Sequence, residues 1–163
     1  MTGEALAFWV LAVITLGSGV VVVTSRNIVH SAVALVPAFL GVTGLYILLN
    51  AEFVAVIQVL IYAGAITVLI LFVIMLTEGG TGLRAPQRNE QGAVGAAVAL
   101  AMAVLLSTVA LRAAWGIGTR TLTYTPGDIG QSFLGPNLLV FEGTSIVLLV
   151  SLVGAIIIAR KED

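Results

Sequence analysis

The sequence contains no cysteine, a single histidine (His30) and very little charge. Without cysteine, the chain's own side chains can form no disulfide, thiolate metal site or Fe–S ligation. One imidazole cannot make a cluster of His ligands. Charged residues occupy 9% of the 163 positions, whereas a soluble domain carries about 25%. A net charge of −1 offers no basic surface for nucleic acid and no block of charge for an acidic partner. Lys, Arg, Asp and His are also missing from well inside every long apolar run. Paired intramembrane charges are the usual marks of an ion path. Their lack, with that of Cys, argues against an intramembrane enzyme or a self-contained pump.

What the chain has instead is apolar length. Hydrophobic residues make up 60% of it, and the mean hydropathy is +1.16. Five apolar segments stand out, at 4–23, 28–49, 53–76, 92–114 and 137–159. Each is close to the roughly 20 residues that a helix needs to span a bilayer. The expected fold is therefore an all-α membrane protein of five transmembrane helices, forming a single membrane domain over 1–163. Nothing basic precedes the first segment, so it reads as a retained helix rather than a cleaved signal. The links at 24–27 and 50–52 are tight, which makes the first three helices sequential neighbours. The loop at 77–91 bears Gly, Pro and charge. The loop at 115–136 is rich in Thr and Gly and is expected to hold a short surface helix near Asp128–Phe133.

Charge predicts orientation. Arg26, Arg84, Arg88, Arg160 and Lys161 fall on one side, and only Arg112 and Arg120 on the other. The positive-inside bias puts the richer side in the cytoplasm. The N-terminus is then outside and the C-terminus cytoplasmic. Trp9, Tyr46, Trp115 and Tyr124 fall near the outer ends of helices or in outer loops, where amphipathic rings favour the headgroup belt.

Few residues within the spans are polar enough to carry chemistry. Glu142 is the only carboxylate beyond the first turn of a predicted helix. Counted from Asn137 at about 1.5 Å per residue, it lies about 7–8 Å below the outer surface. It is either a functional carboxylate facing water or a neighbouring chain, or a protonated or interface-satisfied residue with only a packing role. Gln58 falls at similar depth on the third helix, where it could bond Glu142 if the two helices are neighbours. An amide there is either interhelical glue or part of a proton relay. Tyr62 sits at mid-bilayer beside Ala63, Gly64 and Ala65, and its hydroxyl needs a partner. Gln58, one turn earlier, is the expected one. Thr67 is expected to bond back to the Ala63 carbonyl and loosen the ladder. These residues permit a deformable helix, but they fit close helix packing as well. Pro37 removes one backbone donor from the second helix and is expected to kink it near Val33. Gly17, Gly19, Gly41 and Gly44 read as close-packing positions.

Three stretches carry a resemblance. IQVLIYAGAITVLILFVIML, at 57–76, is similar to the third transmembrane helix of the J chain of bacterial respiratory complex I, the counterpart of mitochondrial subunit 6. RNIVHSAVALV, at 26–36, resembles the start of that family's second helix. SFLGPNLLVFEGTSIVLLVSLVGAI, at 132–156, resembles its approach to the last helix, with Glu142 on the family's glutamate. The sequence departs from the family at Gln58, where some members have a carboxylate, and in the loops and the short tail.

The resemblance implies a non-catalytic membrane-arm subunit of a proton-translocating NADH:quinone oxidoreductase, with no catalytic residues of its own. FMN, Fe–S clusters and quinone are expected in other subunits, and no cofactor in this chain. Expected partners are the A, K and H chains, the adjacent antiporter-like chain and lipid. The expected location is a bacterial plasma membrane, crossed several times, with a thylakoid membrane as the other possibility. In this family the Tyr-Ala-Gly segment is associated with a π-bulge that can relax to a plain α-helix. The resemblance therefore marks Tyr62, Ala63, Gly64, Gln58 and Val68 as a conformational switch for coupling, and Glu142 as an intramembrane carboxylate. The rival expectation is a free-standing small transporter or channel. Five helices do not divide into the two equal repeats usual in transporters.

Overall fold

A backbone in hydrocarbon must satisfy its polar groups internally, which leaves the helix as the natural solution for single apolar segments. The computed structural model describes residues 3–77, 91–113 and 125–160, and every regular element among them is helical. Helix α1 is Gly3–Thr24 and α2 is Ile28–Leu48. The third span, Glu52–Leu76, is continuous but changes its winding. It begins as α3 (Glu52–Ile57), widens into a π-helix (Gln58–Ile66) and returns to α-helix as α4 (Thr67–Leu76). Next come α5 (Gly92–Arg112), a short α6 (Pro126–Leu134) and α7 (Leu138–Ala159). Five of these helical stretches are long and apolar enough to cross a membrane. The expected short helix near 128–133 is α6. Trp115, Arg120 and Tyr124, and most of the 77–91 loop, lie outside the described residues.

The tight links are fixed by local hydrogen bonds. Asn27 caps α2, its Oδ1 accepting from the N–H of Val29 (2.9 Å) and of His30 (3.4 Å). Between α2 and α3, Asn50 takes a left-handed conformation with φ 55°. Its N–H donates to Ile47 O (3.0 Å), and the Ala51 N–H donates to Tyr46 O (2.9 Å). This is the paired closure of a Schellman turn, with Asn in the position usually held by Gly. A reversal so short keeps α2 beside the third span.

Packing is concentrated in the first three spans. Helix α2 packs against α1 and along the third span from α3 to α4. The α1–α2 seam is made of small residues. A Cβ on Gly41 would overlap the Thr15 hydroxyl and lie 3.2 Å from Thr15 N. A Cβ on Gly44 would overlap Leu11 Cδ2 and lie 2.8 Å from its Cδ1. The expectation of close packing therefore holds for these two glycines. Gly17 and Gly19 differ, because nothing lies within 4 Å of a Cβ on either one. They project away from the seam that Leu11 and Thr15 define.

The remaining helices stand apart. Every residue of α5 is exposed, and α7 packs mainly on α6. The α6–α7 corner is held by a Phe133–Phe141 stack with centroids 6.1 Å apart and by Asn137 Nδ2 donating to Ser132 Oγ (2.8 Å). At its start, α6 carries a capping box. Asp128 accepts from the Thr125 hydroxyl (2.7 Å) and N–H (2.9 Å). Those two bonds, the hydroxyl's first, hold its carboxyl below the usual carboxylate range, so the box is charged and closed at neutral pH.

The glycine geometry sets a paired test. Gly44→Val should overpack the α1–α2 seam and cost about 1–3 kcal/mol, seen as a lower unfolding temperature of the detergent-solubilised protein. Gly17→Ala, which meets open space, should leave that temperature unchanged or raise it slightly. Equal losses from both variants would contradict the seam.

Candidate functional site: the widened third helix

Residues 53–76 are almost wholly apolar, so nothing in composition alone distinguishes their middle from their ends. The backbone does. From Gln58 to Ile66 the ladder has π winding, in which each N–H reaches the carbonyl five residues back. The sequence predicts one extra residue in a turn, but the widened segment runs for nine residues. Small side chains at Ala63, Gly64 and Ala65 crowd it little. At Gly64 the wide turn brings Val59 O within 3.2 Å of where a Cβ would be. A Cβ there would require the carbonyl to yield by a few tenths of an ångström.

Thr67 marks the end of the segment. It is the one fully buried large side chain among the described residues, at 0% exposure. Its hydroxyl donates to Tyr62 O at 2.6 Å, and its N–H reaches that carbonyl as well as Gly64 O. The acceptor expected from the sequence is Ala63 O, four residues back. The wide turn moves the acceptor back by one residue.

The polar side chains are redistributed by the same geometry. Tyr62 does not bond Gln58, because a ladder of five-residue steps no longer stacks residue 62 over residue 58. Its ring instead meets Phe39 of α2, with centroids 5.6 Å apart and planes tilted by 59°. The rest of the ring is exposed on the outer face of the span. Gln58 is 9% exposed, and among the described residues no buried side-chain polar atom is left without a partner. With Thr43 and Thr67 it forms the buried polar set of the first three spans. Val68 and Leu69, just past the wide segment, are exposed. Phe39 has no mark in the sequence beyond being an aromatic residue two positions after Pro37. Its contact with Tyr62 depends on how α2 and the third span cross.

Glu142 lies elsewhere. It sits in the second turn of α7, exposed, on a helix whose main packing is against α6. No hydrogen bond joins Gln58 to Glu142 among the described residues, and α7 and the third span form no main packing pair. The conformational residues thus gather on one span, and the carboxylate is separate. Among the described residues no three His, Asp or Glu side chains come together as a metal site. What the arrangement shows is a wide-wound stretch of backbone within an apolar span, with Gln58 and Tyr62 alongside it.

Comparison with known proteins gives this geometry its context. The family described as NADH-ubiquinone/plastoquinone oxidoreductase chain 6 matches residues 18–158. NAD(P)H-quinone oxidoreductase chain 6 of Synechocystis sp. is 42% identical over 162 residues, covering 98% of this chain and 82% of its own. F(420)H(2) dehydrogenase subunit J of Methanosarcina mazei is 38% identical, covering 98% of this chain and 92% of its own. NADH-quinone oxidoreductase subunit J of Rhodobacter capsulatus is 34% identical, covering 99% and 84%. With the match running through all five spans and the π-helix, the chain belongs to the chain 6, or J-subunit, family of NADH-quinone oxidoreductases.

Proposed function

We propose that this chain is a membrane-arm subunit that couples quinone reduction to proton translocation through a change of winding in its third span. The observation that carries the reading is the π-helix at 58–66, lying mid-span in a chain of this family. Such segments recur at functional sites. Returning the wide turn to α-helix removes one residue's worth of winding and rotates the following residues by about 100°. Val68 and Leu69 would then exchange places with smaller residues at the interface with neighbouring chains. Bulky apolar groups exclude water, so a proton path beside the helix opens or closes without a titratable group on it. Tyr62 anchors the segment against Phe39, Gly64 lets the backbone deform, and Gln58 supplies an amide beside it.

A subunit role is further supported by α5 and α7, whose faces are left uncovered by the rest of the chain. A self-contained transporter would pack its own helices around a central path. Partners are then other membrane subunits, which the sequence resemblance identifies as the A, K and H chains and the adjacent antiporter-like chain, together with lipid. FMN, Fe–S clusters and quinone belong to other subunits. The relatives named for NADH, NAD(P)H and F(420)H(2) suggest that the electron donor is chosen by another subunit. The membrane is read as a bacterial plasma membrane, with the N-terminus outside and the C-terminus cytoplasmic.

Three measurements check this reading. Cysteine placed at Gly82 should react with an impermeant thiol reagent only from the cytoplasmic side, and cysteine at Gly127 only from outside; the opposite pattern would reverse the orientation. Glu142→Gln keeps shape and polarity, so the complex should assemble and lose about two- to ten-fold of its coupled activity, the scale of one hydrogen bond. Complete loss of pumping in a fully assembled complex would instead make the charge indispensable. Gly64→Val places a branched side chain against Val59 O. It should slow quinone-coupled turnover about five-fold or more while assembly falls less. Wild-type turnover in that variant would refute the switch.

A further inference from the structure

The backbone of a buried span cannot change winding without cost. Each N–H must leave one carbonyl and find the next, and water is scarce at that depth. The C-terminal end of the π-helix is the most enclosed point of this span, because Thr67 has no exposed surface at all. A carbonyl losing its amide there would be left bare unless a side chain covered it.

Thr67 has the geometry to do so. Its Oγ1 donates to Tyr62 O, five residues back, at 2.6 Å. Hydroxyls in the α-helical spans take nearer acceptors. Thr15 donates to Leu11 O at 2.8 Å, Thr43 to Phe39 O at 3.0 Å and Ser151 to Val147 O at 2.7 Å, each four residues back, while Thr108 reaches Leu105 O and Thr144 reaches Phe141 O, three back. Among the described residues a threonine or serine hydroxyl reaching five residues back marks the wide winding. In an α-helical turn at this point, the Thr67 acceptor becomes Ala63 O. The two carbonyls are consecutive along the helix, and threonine in a helix has two accessible χ1 wells from which its oxygen can bond the preceding turn. Ser and Thr side chains satisfy freed backbone groups in transmembrane helices in this way.

We propose that Thr67 is a positioning residue, a hydrogen-bond pivot on which the third span changes register. Its hydroxyl holds the Tyr62 carbonyl in the π form and passes to the Ala63 carbonyl in the α form. The buried carbonyl that is between amide partners is thus covered during the exchange. The hydroxyl is satisfied in both forms, so the pivot acts mainly on the rate of exchange and favours neither end strongly. This rests on the proposed switch of the third span and adds the group that makes it passable.

The test uses the assembled complex and compares Thr67→Val, Thr67→Ser and Gly64→Val. Val keeps the shape of Thr and removes the hydroxyl; Ser keeps the hydroxyl and removes the methyl. Thr67→Val should assemble normally and slow quinone-coupled turnover about three- to ten-fold, the range expected for one lost hydrogen bond at a barrier. Its KM for quinone should not change. Thr67→Ser should turn over within about two-fold of wild type. A packing role predicts the reverse order, with Ser the worse variant, and that result overturns the pivot. So does wild-type turnover in Thr67→Val, or failure of that isosteric variant to assemble. If Gly64→Val is slow while Thr67→Val is unaffected, the pivot alone is refuted and the switch survives. If Gly64→Val turns over like wild type, the switch is refuted and the pivot falls with it.

Discussion

Every feature of this chain follows from having to satisfy backbone N–H and C=O groups inside hydrocarbon. That requirement makes all its regular elements helical among the described residues. It also governs how a helix can deform. A break in the ladder would strand donors and acceptors at several kcal/mol each. A π-helix avoids this, since shifting every bond by one residue widens the turn and keeps the bonds made. The third span departs from regular winding for nine consecutive residues in a way that keeps its bonds made.

The same solvent inverts the core. Lipid tails are as apolar as Leu, so burying Leu against Leu gains little between helices. The buried residues of the first three spans are accordingly Ala32, Gly41, Thr43, Ala55, Gln58 and Thr67. Large apolar side chains point outward along all five spans. Close approach at Gly41 and Gly44 sets the α1–α2 seam, and α2 in turn braces the third span through Phe39 and Tyr62. Helices α5 and α7 lack such a seam with the first three, as suits a chain whose remaining neighbours belong to other subunits.

A charge-poor chain can still take part in proton transfer under the reading proposed here. The ionisable groups that hold protons would reside in other subunits. This chain would supply shape, through rotation of apolar side chains that admit or exclude water. Burying a charge at this depth is costly, whereas rotating Val68 and Leu69 needs only a backbone with two permitted windings. Gly64 and Thr67 are the residues that address that requirement, one by leaving space at Val59 O and the other by covering a carbonyl.

Five helices long and apolar enough to cross a membrane, and the family, were legible in the sequence, because hydrophobic length and the Tyr-Ala-Gly pattern are local properties of the chain. The tight links around Asn27 and Asn50 were visible for the same reason. Other features depended on how the helices meet. Gly41 and Gly44 pack while Gly17 and Gly19 do not, although all four look alike in sequence, because only the crossing of α1 and α2 decides which face is covered. The distance between Gln58 and Glu142 depended on α7 lying away from the third span. The extent of the π-helix was hidden as well. α and π windings use the same residues and differ only in which carbonyl each amide chooses, and at Thr67 the amide and the hydroxyl both reach Tyr62 O, a choice no residue pattern displays.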